Sequence, residues 1–405
     1  MRAFVSIAVA MLVVAAPTLR AQPQSLTRSA AVDAAVAKGA RLSLAAADTS
    51  AARGLQLSAR AFPNPALNAA YSESAPRYHL GFDLPVDYPW LRSTRIKAAD
   101  ATRNAAQYRF RFERAAAALD ADTLYTVAQA RRMHADLSRR NALDADSLRR
   151  IAVARRDAGD ASDLDVELAG LFAGEQRNAA AADSLDLFDA LLSLQTVMGM
   201  PADSVRIVLA DSLMAPTADA VRPGAGVTLS IAAAEAGLDA MELLARLERR
   251  NKWAPPSIAF GFETRDPGGT ENKVLPTFGL SLPLPLLNFN RGPIALAEAE
   301  RDRARASLAL ARAESQAGIA HAVRERDQAF ARVERGRTLV ASANRVAAMS
   351  LAAFREGAAP MTSVLEAQRT AREILATYVD DLARAWIAIA TTRVLTLTVT
   401  PDSPK

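Results

Sequence analysis

The chain has 405 residues, of which 50% are hydrophobic but only 5% aromatic, so alanine, leucine and valine dominate its apolar content, as in long helices. A charged fraction of 23% argues against a multi-span membrane bundle, and the absence of cysteine excludes disulfides, cysteine-bound zinc, iron–sulfur clusters and thiol catalysis. The net charge of +5 is small and its two signs are interspersed, which argues against nucleic-acid binding.

Residues 1–21 predict a secretory signal peptide. Arg2 supplies a positive start, 3–16 form a short apolar core, and cleavage is expected after Ala21. An uncleaved anchor is less favoured, because this apolar core is too short to cross a bilayer core about 30 Å thick. No later segment reaches 18 consecutive apolar residues. If the mature chain spans a membrane, we therefore expect it to do so with strands.

A stretch without proline or internal glycine, 92–158, predicts one very long helix. At 1.5 Å per residue it would extend about 100 Å, far beyond an ordinary helix. Gly159 breaks it, and Ser162 is a suitable N-cap for a return helix that ends near Met198. The pattern predicts a long helical hairpin.

The same plan returns later in the chain. A second proline-free stretch, 294–356, ends at a turn made by Gly357 and Pro360, and a return helix is predicted over 361–397. Gly357 lies 198 positions after Gly159, and other prolines, glycines and isoleucines of the two halves share this offset. A shared offset between several landmarks predicts two internal repeats.

Two short segments before each long helix alternate apolar residues with small or polar ones, the pattern of strands. We predict β-hairpins over 66–86 and 257–283. Four strands cannot close a barrel within one chain, but their alternation fits a transmembrane barrel with one face toward lipid. The predicted lipid-facing residues are Leu80, Phe82, Phe260, Phe262, Leu280 and Leu282. The alternative is a soluble sheet that caps a coiled coil.

The predicted organisation has a signal peptide, two repeats and a short tail. Each repeat holds an initial helix, a β-hairpin and a long helical hairpin, and the first also ends in an equatorial segment. The predicted bounds are 1–21 for the signal peptide, 22–226 and 227–399 for the repeats, 92–198 and 294–397 for the helical hairpins, and 400–405 for the tail. The fold class is therefore mainly α with a small β part.

Three groups of motifs accompany these elements. They are RAFPNPAL over 60–67, LSLPLPL over 280–286 with NFNRGP over 288–293, and REGAAP over 355–360 followed by VLEAQR over 364–369. Together they resemble the TolC family of outer-membrane efflux channels, most closely its heavy-metal branch of CzcC- and CusC-like partners of RND pumps. The resemblance covers roughly 25–397.

The resemblance implies a homotrimer in the outer membrane that extends into the periplasm. Four strands per chain would complete a twelve-strand barrel, and long hairpins from three chains would form a hollow α-helical tube. Such a protein performs no catalysis and needs no cofactor. It is a passive exit duct for metal ions or small toxic compounds that an inner-membrane pump, of RND type here, delivers through a periplasmic adaptor.

The resemblance also suggests roles for residues at the two helical turns. Those expected to dock the adaptor are Arg155, Gly159, Ser162, Arg355, Gly357 and Pro360. Those expected at the pore aperture are Asp163, Asp165 and Glu366. The family often places an acidic residue six positions after each turn glycine; Asp165 matches this pattern, but Ser363 stands at the second turn. The acidic residues have a second interpretation, the stabilisation of a helix start.

No pattern of residues indicates an active site. The three histidines, His79, His134 and His321, belong to no metal-binding motif, and Met198 and Met200 are more consistent with packing than with a soft metal site. Nucleophile-elbow, P-loop and dinucleotide-binding motifs are absent from the sequence. Two hypotheses remain: a passive export channel, and a periplasmic coiled-coil adaptor or scaffold without a membrane barrel.

Overall fold

A computed structural model describes residues 24–74, 76–217, 226–252, 255–264 and 274–399. The helices are α1 (Arg28–Lys38), α2 (Ala40–Arg60), α3 (Pro89–Asp157), α4 (Asp163–Val197), α5 (Leu229–Arg250), α6 (Arg291–Arg355) and α7 (Met361–Leu395). The strands are β1 (Gln24–Leu26), β2 (Ala66–Tyr71), β3 (Tyr78–Pro85), β4 (Ile207–Leu209), β5 (Val227–Thr228), β6 (Ser257–Thr264), β7 (Leu275–Ser281) and β8 (Thr398–Val399). The predicted signal peptide and tail lie outside the described residues.

The two longest helices begin earlier than the sequence pattern predicts. α3 is 69 residues long, about 100 Å, and starts at Pro89, three residues before the predicted start. The fixed φ of proline suits a first helical turn, where its missing N–H is not needed. α6 likewise begins at Arg291, with Pro293 inside its first turn. Both helices end one residue before the predicted limit, at Asp157 and Arg355.

The four long helices pack mainly through small side chains. α4 packs along α3, α7 packs along α6, and α3 also contacts α7, which joins the two hairpins. Ten of the 17 buried residues of α3 are alanines, so neighbouring helices approach closely without a broad core of large side chains. Leu148, Phe354 and Val364 belong to an apolar cluster near the turns of both hairpins.

One antiparallel sheet contains strands from both halves of the chain, in the spatial order β2, β3, β6, β7. The two β-hairpins meet where β3 pairs with β6, which places Leu80 opposite Phe262. β2 and β7 are therefore the edges of the sheet within one chain. β7 ends at Ser281, before the predicted limit of 283, because Pro283 has no N–H to donate to a neighbouring strand.

Two short strand pairs connect distant parts of the chain. β1 pairs with β4 in parallel, which joins the start of the described chain to the segment after α4. β5 pairs with β8 in antiparallel, which joins the start of α5 to the end of α7. Within the described ranges, no helix combines the length and the apolar character needed to cross a membrane.

Tyr125 of α3 anchors the N-terminal segment to the long helices. Its side chain is completely buried, and its hydroxyl lies 2.9 Å from both the carbonyl oxygen of Leu26 and the carboxylate of Asp211. The backbone N–H of Arg28 donates to the same carboxylate at 2.8 Å, and its guanidinium pairs with Asp122 at 2.5 Å. Burial, with the Asp211 contact, raises the pKa of Tyr125 to about 12.

The raised pKa of Tyr125 predicts a loss of stability at high pH. The unfolded tyrosine loses its proton near pH 10, whereas the folded residue keeps it until about pH 12. The stabilisation is complete below pH 10, and roughly 2 to 3 kcal/mol of it should disappear as the pH rises to 12. Denaturant unfolding of wild type and Tyr125→Phe at several pH values checks this. Equal alkaline slopes for the two proteins would contradict it.

Candidate functional site

The two long hairpins turn in the same way at their ends. Gly159 and Gly357 follow α3 and α6 with φ of 82° and 77°, a left-handed conformation that other residues adopt only with strain. In the first turn Asp160 N–H donates to the Arg155 carbonyl at 2.8 Å; in the second Ala358 N–H donates to the Ala353 carbonyl at 2.8 Å. These bonds are of the Schellman type that commonly ends a helix at glycine.

Arg155 connects the two turns. Its Nη1 donates to the carbonyl of Phe354 at 2.5 Å, its Nη2 donates to the carbonyl of Asp160 at 3.2 Å, and its guanidinium lies 4.7 Å from the centre of the Phe354 ring. A Cβ on Gly357 would lie 3.7 Å from Nη2 of the same arginine. Among the predicted docking residues, Arg155 and Gly357 are therefore brought together. We call the two turns and Arg155 the tip surface.

The other predicted docking residues begin helices or line a cavity. Ser162 and Pro360 are the N-caps of α4 and α7, so each starts a return helix. Arg355 is exposed and lines a cavity of about 220 Å³ between α3, α6 and α7. Arg372, which sequence reasoning missed, lines the same cavity. Its Nε and Nη1 are buried without a hydrogen-bond partner in the described chain, and burial lowers the pKa of its guanidinium.

The predicted aperture residues have different surroundings. Asp165 forms a capping box with Ser162: its carboxylate accepts from the Ser162 N–H at 3.1 Å, and its own N–H donates to the Ser162 hydroxyl at 3.2 Å. The carboxylate of Asp163 is 90% exposed and lies 3.8 Å from Arg156. Glu366 is exposed on α7 and forms no ion pair within the described residues. Asp165 thus has a helix-start role, which sequence analysis offered as one interpretation.

The sheet has two chemically different faces. In the pairing register, all the predicted lipid-facing residues within strands share one face, and Leu282 follows β7 by one residue. The same face also carries residues outside the predicted set: Leu67, Tyr71, Tyr78, Leu84, Ile258 and Phe278. Phe82 and Phe260 stack on it with ring centres 5.6 Å apart. The face is therefore continuous and apolar, with aromatic rings throughout.

The opposite face carries polar and small residues. The amide of Asn68 donates to the carboxylate of Asp83, and Nδ1 of His79 lies 3.2 Å from Oε1 of Glu263 on the neighbouring strand. At Gly261 the strands are so close that a Cβ would lie 2.6 Å from the Leu80 carbonyl oxygen. Only glycine fits there. The two faces of the sheet therefore differ in polarity, as the alternation in the sequence predicts.

The remaining candidate residues make ion-pair or packing contacts. His134 pairs with Asp380 at 2.9 Å and His321 lies 3.6 Å from Glu325, and no group of three or more potential metal ligands occurs in the described part of the chain. Met198 is buried in an apolar cluster against which Met200 packs. Packing was the role that the sequence favoured for both methionines.

Solved membrane proteins share this fold over most of their length. A membrane protein from Pseudomonas aeruginosa is 20% identical, with 91% of this chain and 93% of that chain covered and a TM-score of 0.75. CusC is 15% identical, with 94% of each chain covered and a TM-score of 0.75. The Campylobacter jejuni CmeC outer membrane channel is 13% identical, with 94% and 90% covered and a TM-score of 0.78. No protein-family model and no curated protein sequence matches the chain.

At these identities the likeness establishes the fold. The chain has the mainly helical, TolC-like fold of these structures, which confirms the predicted class of mainly α with a small β part. The closed barrel and the trimer stay predictions. By TM-score, CusC is no more similar to this chain than the other two structures are, so the comparison does not single out a heavy-metal branch.

Proposed function

We propose that this protein is the outer-membrane channel of a tripartite efflux system. It is a passive exit duct, without a catalytic step, for compounds that an inner-membrane pump delivers through a periplasmic adaptor. The observation that carries the proposal is the four-stranded sheet, apolar on one face and polar on the other, beside helical hairpins about 100 Å long. A sheet with these faces belongs in a bilayer, where its edges must be paired.

Three copies of the chain provide that pairing. β2 and β7 are open edges within one chain. In a homotrimer, β7 of one copy pairs with β2 of the next, which gives twelve strands and leaves no edge. The apolar face, including the predicted lipid-facing residues, then contacts the outer-membrane lipid, and the long hairpins extend into the periplasm.

The long helices support the same assembly. α4 carries seven acidic residues and one arginine, whereas α6 carries 12 arginines and seven acidic residues. These two helices flank the paired hairpins, and both expose large apolar side chains. The exposed residues are Leu164, Leu171, Leu185 and Phe188 on α4 and Leu339, Val346 and Met349 on α6. We expect α4 of one copy to pack against α6 of the next, with complementary charge beside an apolar seam.

The tip surface is the proposed docking site for the adaptor. It lies at the end of each hairpin away from the sheet, it is exposed, and a Cβ on Gly159 would meet open space. Metal ions are the proposed cargo because the sequence motifs resemble the heavy-metal branch, which also implies a pump of RND type. Small toxic compounds are the alternative cargo.

Membrane fractionation and bilayer recording test the channel proposal. We expect the mature protein in the outer-membrane fraction, as a trimer in detergent that dissociates on heating and conducts ions in a planar bilayer. The alternative, a periplasmic adaptor or scaffold, predicts a protein in the soluble periplasmic fraction without conductance. The likeness to CusC and to the CmeC outer membrane channel over more than nine-tenths of the chain favours the first hypothesis.

We expect the channel to prefer cations, because acidic residues are predicted at its aperture. Asp165 and Glu366 lie within two turns of the helix starts, so three copies would place six carboxylates near the periplasmic entrance. Asp165→Asn with Glu366→Gln should reduce cation selectivity in single-channel recordings, and Glu366→Gln should contribute more because the carboxylate of Asp165 is held by Ser162. Asp33→Asn with Asp48→Asn, at exposed positions on α1 and α2, is the control. Unchanged selectivity in the first double variant would mean that these carboxylates do not set the selectivity and that Asp165 serves only to cap α4.

A further inference from the structure

The corner between α5 and α6 lies at the end of the sheet where β6 and β7 connect to these two helices. Nδ2 of Asn290 donates to the backbone oxygen of Glu248 at 3.0 Å and to its carboxylate at 2.9 Å. Arg249 pairs with Glu298 at 2.5 Å. These contacts hold the start of α6 against the end of α5, directly after the linker that leaves β7.

Three cations lie at this corner. Arg250, Lys252 and Arg291 are exposed, and none forms an ion pair within the residues that the structure describes. Nη1 of Arg250 donates to the Thr94 hydroxyl at 2.6 Å, which orients the guanidinium without neutralising its charge. The corner therefore carries three cations outside ion pairs, beside Glu248, whose carboxylate accepts from Asn290.

An exposed apolar segment adjoins these cations. The linker over 282–289 continues from the apolar face of β7. Its residues are highly exposed: Leu286 at 74%, Leu287 at 99% and Phe289 at 47%. The guanidinium of Arg291 lies 5.9 Å from the centre of the Phe289 ring. Apolar side chains beside unpaired cations match the boundary between acyl chains and phosphate headgroups.

The arginines at the equivalent corner of the first repeat are paired with acidic residues. Arg92 and Arg95 both contact Asp87, at 3.6 and 2.7 Å, and Arg60 pairs with Asp100 at 3.1 Å. Lys97, near the start of α3, is also exposed and forms no ion pair in the described chain. The second corner differs because three such cations lie beside the exposed apolar linker.

We propose that Arg250, Lys252 and Arg291, together with Leu286, Leu287 and Phe289, bind an anionic phospholipid on the periplasmic side of the outer membrane. The cations hold the headgroup phosphate, and the apolar side chains contact the acyl chains. The inference rests on the proposed outer-membrane location and adds the class of lipid that the protein binds there. A bound lipid would fix the height of the channel in the bilayer.

Lipid binding to the purified trimer in neutral detergent tests the proposal. Native mass spectrometry measures the retention of phosphatidylglycerol and phosphatidylcholine, with inorganic phosphate as a competitor. The test variant is Arg250→Gln/Lys252→Gln/Arg291→Gln. The control is Arg139→Gln/Arg140→Gln/Arg150→Gln, which removes the same charge from exposed positions on α3.

We expect wild type and control to retain phosphatidylglycerol preferentially. Each lost cation should weaken its binding about fivefold, so the test variant should lose the preference. Equal retention of both lipids by wild type, or an unchanged preference in the test variant, would overturn the site. Displacement of the lipid by inorganic phosphate would indicate a soluble anion, and loss of the trimer in the test variant would indicate a subunit contact; either result overturns the lipid assignment. Conductance by the wild-type trimer tests the channel proposal separately.

Discussion

Phe260→Arg is expected to destabilise the membrane-inserted trimer by about 2 to 4 kcal/mol, whereas Ala259→Arg should have little effect. Phe260 lies in the middle of β6, stacks on Phe82, and belongs to the apolar face. An arginine there would place a charge in hydrocarbon. Ala259 is the next residue along the strand and faces the polar side, where an arginine side chain would reach water.

Trimer yield in the outer-membrane fraction and unfolding in lipid vesicles measure the difference. Ala259 is a better matched control than Gly261, because any side chain at Gly261 would collide with the Leu80 carbonyl oxygen on β3. If both arginine variants assembled and unfolded like wild type, the apolar face would not contact lipid and the barrel would have to be abandoned.

Substitution of the tip glycines should abolish efflux while trimers remain in the membrane. A Cβ on Gly159 meets nothing within 4 Å, and one on Gly357 meets only Arg155 at 3.7 Å, so the protein itself has room for a side chain. A docking partner bound at the tip surface would leave no room for that side chain. Valine adds strain of about 1 to 2 kcal/mol at positive φ, whereas asparagine tolerates this conformation.

Four variants separate docking from backbone strain: valine and asparagine at each glycine. We expect all four to lose efflux in a drug or metal susceptibility assay, because each adds bulk at the docking surface. Gly54→Val, at an exposed helical glycine of α2 with open space, is the control. Wild-type efflux in the asparagine variants with loss in the valine variants would mean that only backbone geometry matters and that docking occurs elsewhere.

Local sequence patterns were sufficient for the helices, the turns and the faces of the strands. The long stretches without proline predicted most of α3 and α6. Gly159 and Gly357 indicated turns, because glycine adopts positive φ without strain. The Ser162 to Asp165 spacing is that of a capping box, which the structure contains. Such features depend on residues within a few positions of each other, so they are encoded locally.

Tertiary structure alone decided the contacts between distant parts of the chain. Arg155 reaches the carbonyl of Phe354, 199 residues away. Asp87 pairs with Arg92 and Arg95, whereas Arg250 forms no ion pair within the described residues. The pairing of β3 with β6, which creates one continuous apolar face, also has no local signature. These contacts depend on how the packed helices and strands place side chains in space, and that placement follows from the whole fold.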